Sequence, residues 1–360
     1  MILNYRCESE AAARNVARRD MRLRECNACG LIFNDILDLA AIPYDERYDN
    51  RQNFSPSFTT MLEQTADLLA QRYTARNGAV LEVGCGKGEF LRLFCARAQV
   101  EGIGFDTSCE AEGRQPGERV TFFQRYATPA DVTEKVDLVV CRHVVEHVPQ
   151  IGGFFHLLHG IAAAGGNSAV YVETPAFEWI VEQQAFWDVF YEHCNYFTTH
   201  TLRLLAERAG FAVLDHRRVF GGQYQALELR PRSKDAAPPT QHERSSTLLP
   251  AFTASLAGSQ REVLRRLEAH GSTNSWAIWG AGAKGVSLAQ TFTATPPAFV
   301  IDSNPSKQGM FLPGSGIPVI APSDPRVADV AVVLVANPNY LAEIRATLDE
   351  QGTSPQLLPL

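Results

Sequence analysis

The chain has 360 residues, of which 45% are hydrophobic and 20% charged, with 26 Gly and 20 Pro. This composition excludes a disordered chain and a fibrous repeat, and the length allows two or three domains of about 150 residues. The 33 basic residues are outnumbered by 40 acidic ones, so the net charge is −7. A chain of this charge is a poor match for a phosphate backbone, and we expect no nucleic-acid partner.

The apolar runs of the chain have the length of strands. The longest ones, at 136–141 and 330–336, are far shorter than the roughly 20 residues that span a bilayer. The N-terminus lacks the apolar segment and small-residue cleavage site of a signal peptide, and eight cysteines are too few for a disulfide scaffold in a chain of this length. We therefore expect a cytoplasmic protein without a membrane partner.

Residues 1–44 predict a small zinc-ribbon-like region, because three cysteines fall within it. Cys26 and Cys29 form one intact Cys-x-x-Cys knuckle, whereas the other knuckle is reduced to Cys7, with Asn4 at the partner position. A structural zinc site needs four ligands in tetrahedral geometry. There are two alternatives: structural zinc bound by the three cysteines and a fourth ligand, or a ribbon that keeps its shape by packing. Candidates for the fourth ligand are Glu8, Glu10 and Asp20.

Residues 45–232 carry the pattern of an α/β domain with a leading helix. Apolar positions recur at helical spacing over 57–73, which predicts a helix packed on the rest of this domain. Short apolar runs then occur at 79–83, 99–105, 137–141, 168–172, 211–215 and 224–229, with helical patterns at 88–97, 151–163 and 199–209. This alternation predicts a parallel sheet.

A second α/β unit is predicted at 248–360. A stretch rich in proline and charge indicates a linker at 233–247, and an amphipathic segment comes next, at about 248–270. Apolar runs at 275–279, 298–302 and 330–336 supply its predicted strands.

A glycine loop closes the first predicted strand of the larger unit. Gly84, Gly86 and Gly88 alternate after a strand that contains Glu82, and the next strand ends in Asp106. Glycines let the backbone pass close beneath a ligand at the carboxyl end of a strand, where open α/β sheets bind nucleotides. A glycine-rich turn without a ligand is the alternative interpretation.

This loop resembles motif I of the class I S-adenosylmethionine-dependent methyltransferases. The resemblance implies that Gly84 and Gly86 contact the methionine part of S-adenosylmethionine and that Glu82 supports the loop. It further implies that Asp106 accepts hydrogen bonds from the ribose hydroxyls. Gln124, after the third strand, is the candidate for the adenine position.

Two segments carry the residues with acid–base chemistry. The turn after the fourth strand contains His143 and His147, and the segment 190–197 contains Tyr191, Glu192 and His193. A carbon nucleophile requires a base that removes a weakly acidic proton next to a carbonyl, and a group that stabilises the enolate oxygen. His193 suits the first task, and Tyr191 or His147 the second. The alternative is an aromatic-rich helix with a buried histidine, and His143 by itself is typical of a structural residue.

The arrangement of the whole chain resembles the sugar C-methyltransferase family, whose members methylate carbon 3 of nucleotide-linked 4-keto-6-deoxysugars in antibiotic pathways. The motifs that carry the resemblance are the cysteine knuckle, the Tyr-Glu-His and Tyr-Phe-Thr pattern at 191–198, and 279–285, 301–309 and 312–314. Residues 48–60 resemble the substrate loop of the family only loosely. The resemblance implies a class I methyltransferase domain between a zinc-ribbon-like region and a C-terminal Rossmann-like domain.

The resemblance also implies a mechanism. His193 is the base that removes the proton from carbon 3, with Tyr191, Glu192 and His147 around the substrate, and no metal takes part in the chemistry. The enolate then attacks the methyl group of S-adenosylmethionine. The alternative that stays closest to this one is a methyltransferase of another small natural-product acceptor.

The C-terminal unit contains a second glycine loop. Gly280, Gly282 and Gly285 come after a strand in the Gly-x-Gly-x-x-Gly spacing, and Asp302 lies seventeen residues further on. This pattern is typical of dinucleotide sites, so an NAD(P)-dependent oxidoreductase is a competing interpretation. Lys284 inside the loop and the short domain speak against it. The family resemblance implies instead that Gly280, Gly282, Lys284 and Asp302 help to hold the nucleotide of the substrate.

Overall fold

The computed structural model describes residues 5–42, 54–74, 78–232, 247–269 and 276–360. Asn4, most of the predicted linker (233–246) and the first part of the predicted substrate loop (48–53) lie outside these residues. None of the helices within the described ranges combines the length and the apolar character of a membrane span.

A three-stranded antiparallel sheet joins the N-terminal region to the middle of the chain. Helix α1 (Glu10–Arg14) precedes strands β1 (Leu23–Glu25) and β2 (Ile32–Asn34). β2 pairs on its other side with β9 (Asn195–Tyr196). β9 begins two residues after His193, so the N-terminal hairpin supports the segment that carries the predicted base.

The largest sheet has eight strands in the order β10-β11-β8-β7-β3-β4-β6-β5. Its strands are β3 (Ala79–Val83), β4 (Glu101–Phe105), β5 (Gly113–Arg114), β6 (Val120–Phe123), β7 (Leu138–Arg142), β8 (Ala169–Pro175), β10 (Phe211–Val219) and β11 (Tyr224–Pro231). The helices between and before them are α2 (Pro56–Tyr73), α3 (Glu89–Ala98), α4 (Ile151–Ala164), α5 (Phe177–Glu182) and α6 (Thr199–Arg208).

The strands β3, β4, β6, β7 and β8 are parallel, as the sequence pattern predicts, but the sheet is mixed at its edges. β11 is antiparallel to both β8 and β10, and β5 is antiparallel to β6. Only residues 220–223 connect β10 to β11. A parallel crossover needs about a dozen residues or more, so this connection permits only a hairpin.

Alternating side chains of the sheet enter two separate hydrophobic clusters. In β3, Val80 packs with residues of α2 and α3, whereas Leu81 packs with residues of α4 and α6. Successive side chains of a strand point to opposite faces, so helices cover both faces. The unbroken apolar runs of the central strands, such as Val139–Cys141, result from burial on both sides.

The second sheet is parallel throughout, with the order β14-β13-β12-β15-β16. Its strands are β12 (Trp276–Trp279), β13 (Phe299–Ile301), β14 (Val319–Ile320), β15 (Val332–Val335) and β16 (Gln356–Pro359). Its helices are α7 (Leu248–Ala269), α8 (Ala283–Thr291) and α9 (Leu341–Glu350).

The second sheet packs on the segment of the chain that comes after β8. Phe177 of α5 contacts Phe252 of α7, with ring centroids 5.9 Å apart. The indole N–H of Trp187 donates to the carbonyl of Ala336, at 2.9 Å. One hydrophobic cluster contains residues from both sides of this contact, so the segment leading to His193 is held between the two sheets.

Candidate active site

The first glycine loop lies between β3 and α3, as the sequence predicts. Gly84 has φ of +77°, and a Cβ there would lie 2.2 Å from a methyl carbon of Val144. Only glycine fits such a position without strain. A Cβ at Gly86 would meet no atom within 4 Å, so space is open above the loop.

The acidic residues of this site occupy two different environments. Asp106 lies after β4, and its carboxylate accepts the backbone N–H groups of Gly86, at 2.8 Å, and Ser108, at 2.7 Å. Glu82 is buried, which raises its pKa to about 8, and its Oε2 has no hydrogen-bond partner. Gln124 is exposed, and its side-chain N–H donates to the carbonyl of Thr107, at 3.4 Å.

These features fit the adenosyl and methionine parts of S-adenosylmethionine. An open glycine loop admits the ligand, and a carboxylate at the end of the adjacent strand suits ribose hydroxyls. The roles of Glu82, Gly84, Gly86, Asp106 and Gln124 remain predictions.

The turn after β7 is strained and highly charged. His143 adopts φ of +54°, which is uncommon for a residue with a Cβ. Its imidazole lies 3.4 Å from a carboxylate oxygen of Glu146 and 3.1 Å from one of Glu173. Burial by itself lowers the pKa of His143, but hydrogen bonds to the two carboxylates outweigh burial and raise it. Arg142 forms a further buried ion pair with Glu173, at 2.6 Å.

Backbone and amide hydrogen bonds hold the segment after Phe190 against this turn. The N–H of Cys194 donates to the carbonyl of Glu146, at 2.8 Å. The side-chain amide of Asn195 donates to the carbonyls of Val145 and Val148, at 3.2 and 2.7 Å. The segment is therefore a fixed loop that leads into β9, and not the aromatic-rich helix that was the alternative.

This arrangement brings the two predicted histidines together beside a carboxylate. The rings of His147 and His193 are 4.8 Å apart, and the ligand atoms of Glu146, His147 and His193 all lie within 4.8 Å of one another. The Nδ1 of His147 lies 3.0 Å from the carbonyl oxygen of Glu192. A carbonyl only accepts, so this contact assigns the proton of neutral His147 to Nδ1.

Electrostatics keep His193 neutral and Glu146 ionised. Burial, and next the repulsion that a protonated His193 would meet from the adjacent ring of His147, lower the pKa of His193 to about 3. Burial alone would raise the pKa of Glu146, but a hydrogen bond from His143 and the charge of that imidazole lower it to about 2. At neutral pH the site holds an imidazole with a free lone pair next to a carboxylate.

Tyr191 and Glu192 have different positions. Glu192 is buried and lines the cavity between the two sheets, together with His147 and His193. Tyr191 is absent from the cavity wall, and its hydroxyl accepts the backbone N–H of Asp38, at 2.8 Å. The hydroxyl oxygen of Tyr191 therefore faces the N-terminal region, and its place around the substrate remains a prediction.

The cavity between the sheets joins the histidines to the second glycine loop. Gly280, Gly282, Lys284 and Asp302 all line it, as does His193. The carboxylate of Asp302 accepts the backbone N–H of Ala281, at 2.6 Å. Asp106 likewise accepts the N–H of Gly86, so in both loops an acidic residue after the next strand binds a backbone N–H of the glycine loop.

Lys284 is bound to a partner that the sequence analysis did not name. Its ammonium forms an ion pair with Asp188, which is buried between the sheets. Burial, partly offset by Asp188, lowers the pKa of Lys284. Asp188 therefore compensates the charge of Lys284 within the protein, although Lys284 lines the cavity.

The structure does not assemble the predicted three-cysteine metal site. Cys7 is buried beside Tyr5 and Phe311, whereas Cys26 and Cys29 pack against the cluster that contains Leu31. Among residues 5–42, 54–74, 78–232, 247–269 and 276–360, the metal-capable group of three or more side chains is Glu146, His147 and His193, without a cysteine. The prediction that Cys7 binds zinc alongside Cys26 and Cys29 is thus corrected, because an isolated β-bridge pairs Cys7 with Phe311.

Several residues of the cavity escaped the sequence analysis. Glu146 lies between two predicted histidines in the chain, and this spacing was the available signal. Asp188 comes from one segment, whereas Asn304 and Lys307 lie within the motif 301–309 of the second unit, where neither was singled out as a site residue. Packing of the second sheet on the first brings Asp188 to the same cavity as these two residues.

Family models match both halves of the chain. Residues 57–216 match the model described as a methyltransferase domain, and residues 240–354 match that of a C-methyltransferase C-terminal domain. The latter range includes the loop that the sequence alone left open to a dinucleotide. The chain is also 27% identical over 315 residues to C-methyltransferase NovU of Streptomyces niveus, covering 79% of this chain and 72% of that protein.

Similar solved structures have low sequence identity. An S-adenosylmethionine-dependent methyltransferase from Mesorhizobium loti is 13% identical, with a TM-score of 0.36, covering 47% of this chain and 99% of that one. Magnesium protoporphyrin IX methyltransferase from Synechocystis PCC 6803, with bound S-adenosylhomocysteine, is 15% identical, with a TM-score of 0.36, covering 49% and 84%.

Proposed function

We propose that the methyl acceptor is carbon 3 of a nucleotide-linked 4-keto-6-deoxysugar. The chain itself is an S-adenosylmethionine-dependent methyltransferase with a C-methyltransferase C-terminal domain. The comparisons with known proteins confirm the predicted enzyme class. The identity of the acceptor is the proposal. We place the reaction in natural-product biosynthesis. The observation that carries the proposal is that His193 and the second glycine loop line one cavity.

His193 is the proposed base. A neutral imidazole accepts a proton at physiological pH, and burial keeps His193 neutral. In the proposed step the C–H bond next to the ketone breaks, the proton moves to a ring nitrogen of His193, and the electron pair forms the enolate. The low pKa makes His193 a weak base in the free enzyme, so the step requires that the imidazolium be stabilised as it forms.

Glu146 is the proposed stabiliser of that imidazolium. Its carboxylate is ionised and lies within 4.8 Å of the ligand atoms of both histidines. An adjacent negative charge favours the protonated form of an imidazole. The oxygens of Glu146 are oriented by Thr174, whose hydroxyl donates at 3.0 Å. Glu146 therefore acts on the chemistry through His193 as a positioning residue.

His147 is the proposed partner of the enolate oxygen, because it lines the cavity next to His193 and Tyr191 does not. With Nδ1–H donated to the carbonyl of Glu192, the ring of His147 can donate to the enolate oxygen only through Nε2. Glu192 fixes the ring of His147 through its backbone carbonyl.

Glu82, Gly84, Gly86 and Asp106 would hold S-adenosylmethionine, which supplies an electrophilic methyl group when bound. The protein positions the acceptor carbon and excludes water from the cavity. Gly280, Gly282 and Asp302 hold the nucleotide of the acceptor in this proposal, with Asp302 directed to ribose hydroxyls as the geometry shared with Asp106 suggests.

Mass spectrometry in heavy water tests the two halves of the mechanism. The full chain is incubated with nucleotide-linked 4-keto-6-deoxysugars, with and without S-adenosylmethionine. We expect a gain of about 14 daltons with the cofactor and deuterium at the exchangeable carbon without it, because the base acts before transfer. His193→Asn removes both signals, whereas His156→Asn, whose side chain is exposed on α4, retains both.

Two outcomes contradict the proposal. Full methyl transfer by His193→Asn would exclude His193 as the base. No transfer to any of these sugars by wild-type protein that binds S-adenosylmethionine would exclude the sugar acceptor, and the acceptor would then be another small molecule.

A further inference from the structure

The N-terminus of α8 presents backbone donors to the cavity. The first intrahelical bond runs from the N–H of Val286 to the carbonyl of Gly282, at 3.0 Å. The N–H groups of Ala283, Lys284 and Gly285 therefore precede the hydrogen-bonded part of the helix. Gly282, the N-cap, offers no side chain to them, and all three residues line the cavity.

Asn304 adds a buried side-chain donor. The side chain is only 3% exposed and lines the same cavity. Its oxygen accepts the N–H and the hydroxyl of Ser306, at 3.0 and 2.8 Å. Its Nδ2 is buried and has no hydrogen-bond partner. A buried amide donor left unpaired costs free energy, so this one indicates an acceptor that the protein itself does not supply.

Lys307 adds a buried positive charge. The residue is 8% exposed, and its Nζ donates to the carbonyl of Ala281, at 3.3 Å. Among the residues that the structure describes, no carboxylate oxygen lies within 4.0 Å of this nitrogen. Lys284, by contrast, has Asp188 as its counter-ion. A buried charge without a counter-ion is costly, and a bound anion would remove that cost.

The acidic groups nearest to these donors are already engaged. Asp302 accepts the N–H groups of Ala281, at 2.6 Å, and Asn304, at 2.7 Å. Glu343, on the far wall of the cavity, accepts the hydroxyl of Ser55, at 2.9 Å, and the N–H of Ser57, at 2.8 Å. Neither carboxylate is paired with Lys307.

We propose that the N-terminus of α8, Asn304 and Lys307 form a subsite for the diphosphate of the acceptor, an assignment that rests on the proposed function. The three components are hydrogen-bond donors, and one carries a full positive charge. Helix N-termini and ammonium groups are the partners that phosphate oxygens take in proteins. A diphosphate bound here would place a ribose near Asp302 and direct the sugar toward His193 along the same cavity.

Calorimetric titration of the full chain with inorganic pyrophosphate tests the subsite directly. Lys307→Met removes the charge at similar length, and Asn304→Asp keeps the oxygen that accepts from Ser306 while replacing the donor by an acceptor. We expect each change to weaken pyrophosphate binding at least tenfold, with S-adenosylmethionine binding unchanged. The matched control is Lys135→Met, because the side chain of Lys135 is 75% exposed. Its affinity for pyrophosphate should equal that of the wild type.

Failure of the subsite and failure of the proposed function give different results. Wild-type affinity for pyrophosphate in both variants, or no binding by the wild type, overturns the subsite even if sugar methylation is observed. If sugar methylation is observed, Lys307→Met should raise KM at least tenfold and leave kcat within twofold. If pyrophosphate binds as expected but no sugar is methylated, the subsite stands and the proposed function fails. Competition by NAD⁺ but not by nucleoside diphosphates would assign the diphosphate to a dinucleotide and overturn the acceptor assignment.

Discussion

The low pKa of His193 makes protein stability depend on pH in a defined window. His193 titrates at about 3 in the folded protein and at about 6.5 in an unfolded chain. Between these values the unfolded state binds more protons, so the free energy of unfolding falls as the pH is lowered from 6.5. From pH 6.5 to 4.5 the two pKa values correspond to a loss of about 2 kcal/mol.

The neighbouring groups with shifted pKa values change the free energy of unfolding mainly outside the interval from pH 6.5 to 4.5. Glu146 has a lowered pKa, so its contribution is lost only below the ordinary carboxyl range, about 4.3. His143 has a raised pKa, so its contribution is complete below 6.5 and is lost only as the pH rises above that value. The other histidines with lowered pKa values, His159 and His216, remain unchanged in a His193 variant.

Urea unfolding at pH 6.5 and 4.5 measures the effect, with the fluorescence of the four tryptophans as the signal. Wild-type protein should lose about 2 kcal/mol more than His193→Asn over this interval. His156→Asn is the matched control and should behave as the wild type, because its side chain is exposed. Equal losses in wild type and His193→Asn would refute the reasoning, since His193 would then titrate alike in the folded and unfolded protein.

Three further predictions concern the ion pair, metal ions and the first glycine loop. Asp188→Asn should lower the free energy of unfolding by about 3 kcal/mol, because it leaves Lys284 without its counter-ion, and adding Lys284→Met should restore most of the loss in denaturant titrations. Chelators should leave kcat unchanged, and loss of activity on chelation would contradict a metal-free base. Added Zn²⁺ should inhibit the enzyme by binding the lone pairs of the histidines next to Glu146. Asp106→Ala should weaken S-adenosylmethionine binding at least tenfold in calorimetry, since the carboxylate that orients Gly86 is removed; unchanged affinity would argue against this loop as the cofactor site.

The N-terminal hairpin has a structural role whether or not zinc is bound. The turn from Cys26 to Leu31 is closed by backbone bonds from Cys26 to Leu31 and from Gly30 to Cys26, each at 2.8 Å. The adjacent strand pairs with β9, and the N–H of Asn34 donates to the carbonyl of Cys194, at 2.9 Å. The hairpin therefore holds the loop that carries His193, which gives a reason for the cysteine knuckle to precede the methyltransferase domain.

The local elements of this protein follow from the sequence alone. The helix predicted at 57–73 is observed as Pro56–Tyr73, and the strand at 79–83 as Ala79–Val83. Periodicity and glycine spacing act over a few residues, so a single chain segment contains all the information that these elements require. For the same reason the two glycine loops, each with an acidic residue after the next strand, were recognisable from sequence.

Tertiary structure decided which side chains share the cavity and which charges have partners. The sequence groups Tyr191 with His193, but only the fold places the hydroxyl oxygen of Tyr191 where it accepts the backbone N–H of Asp38. It assigned Lys284 to the nucleotide, whereas Asp188 pairs with Lys284 and leaves Lys307 as the buried cation without a carboxylate partner among the described residues. These relations join residues that are 96 and 153 positions apart in the chain. Packing of the second sheet on the first creates the ion pair, and packing of the N-terminal region creates the contact of Tyr191. Burial then sets the protonation of the site, a property that residue spacing does not encode.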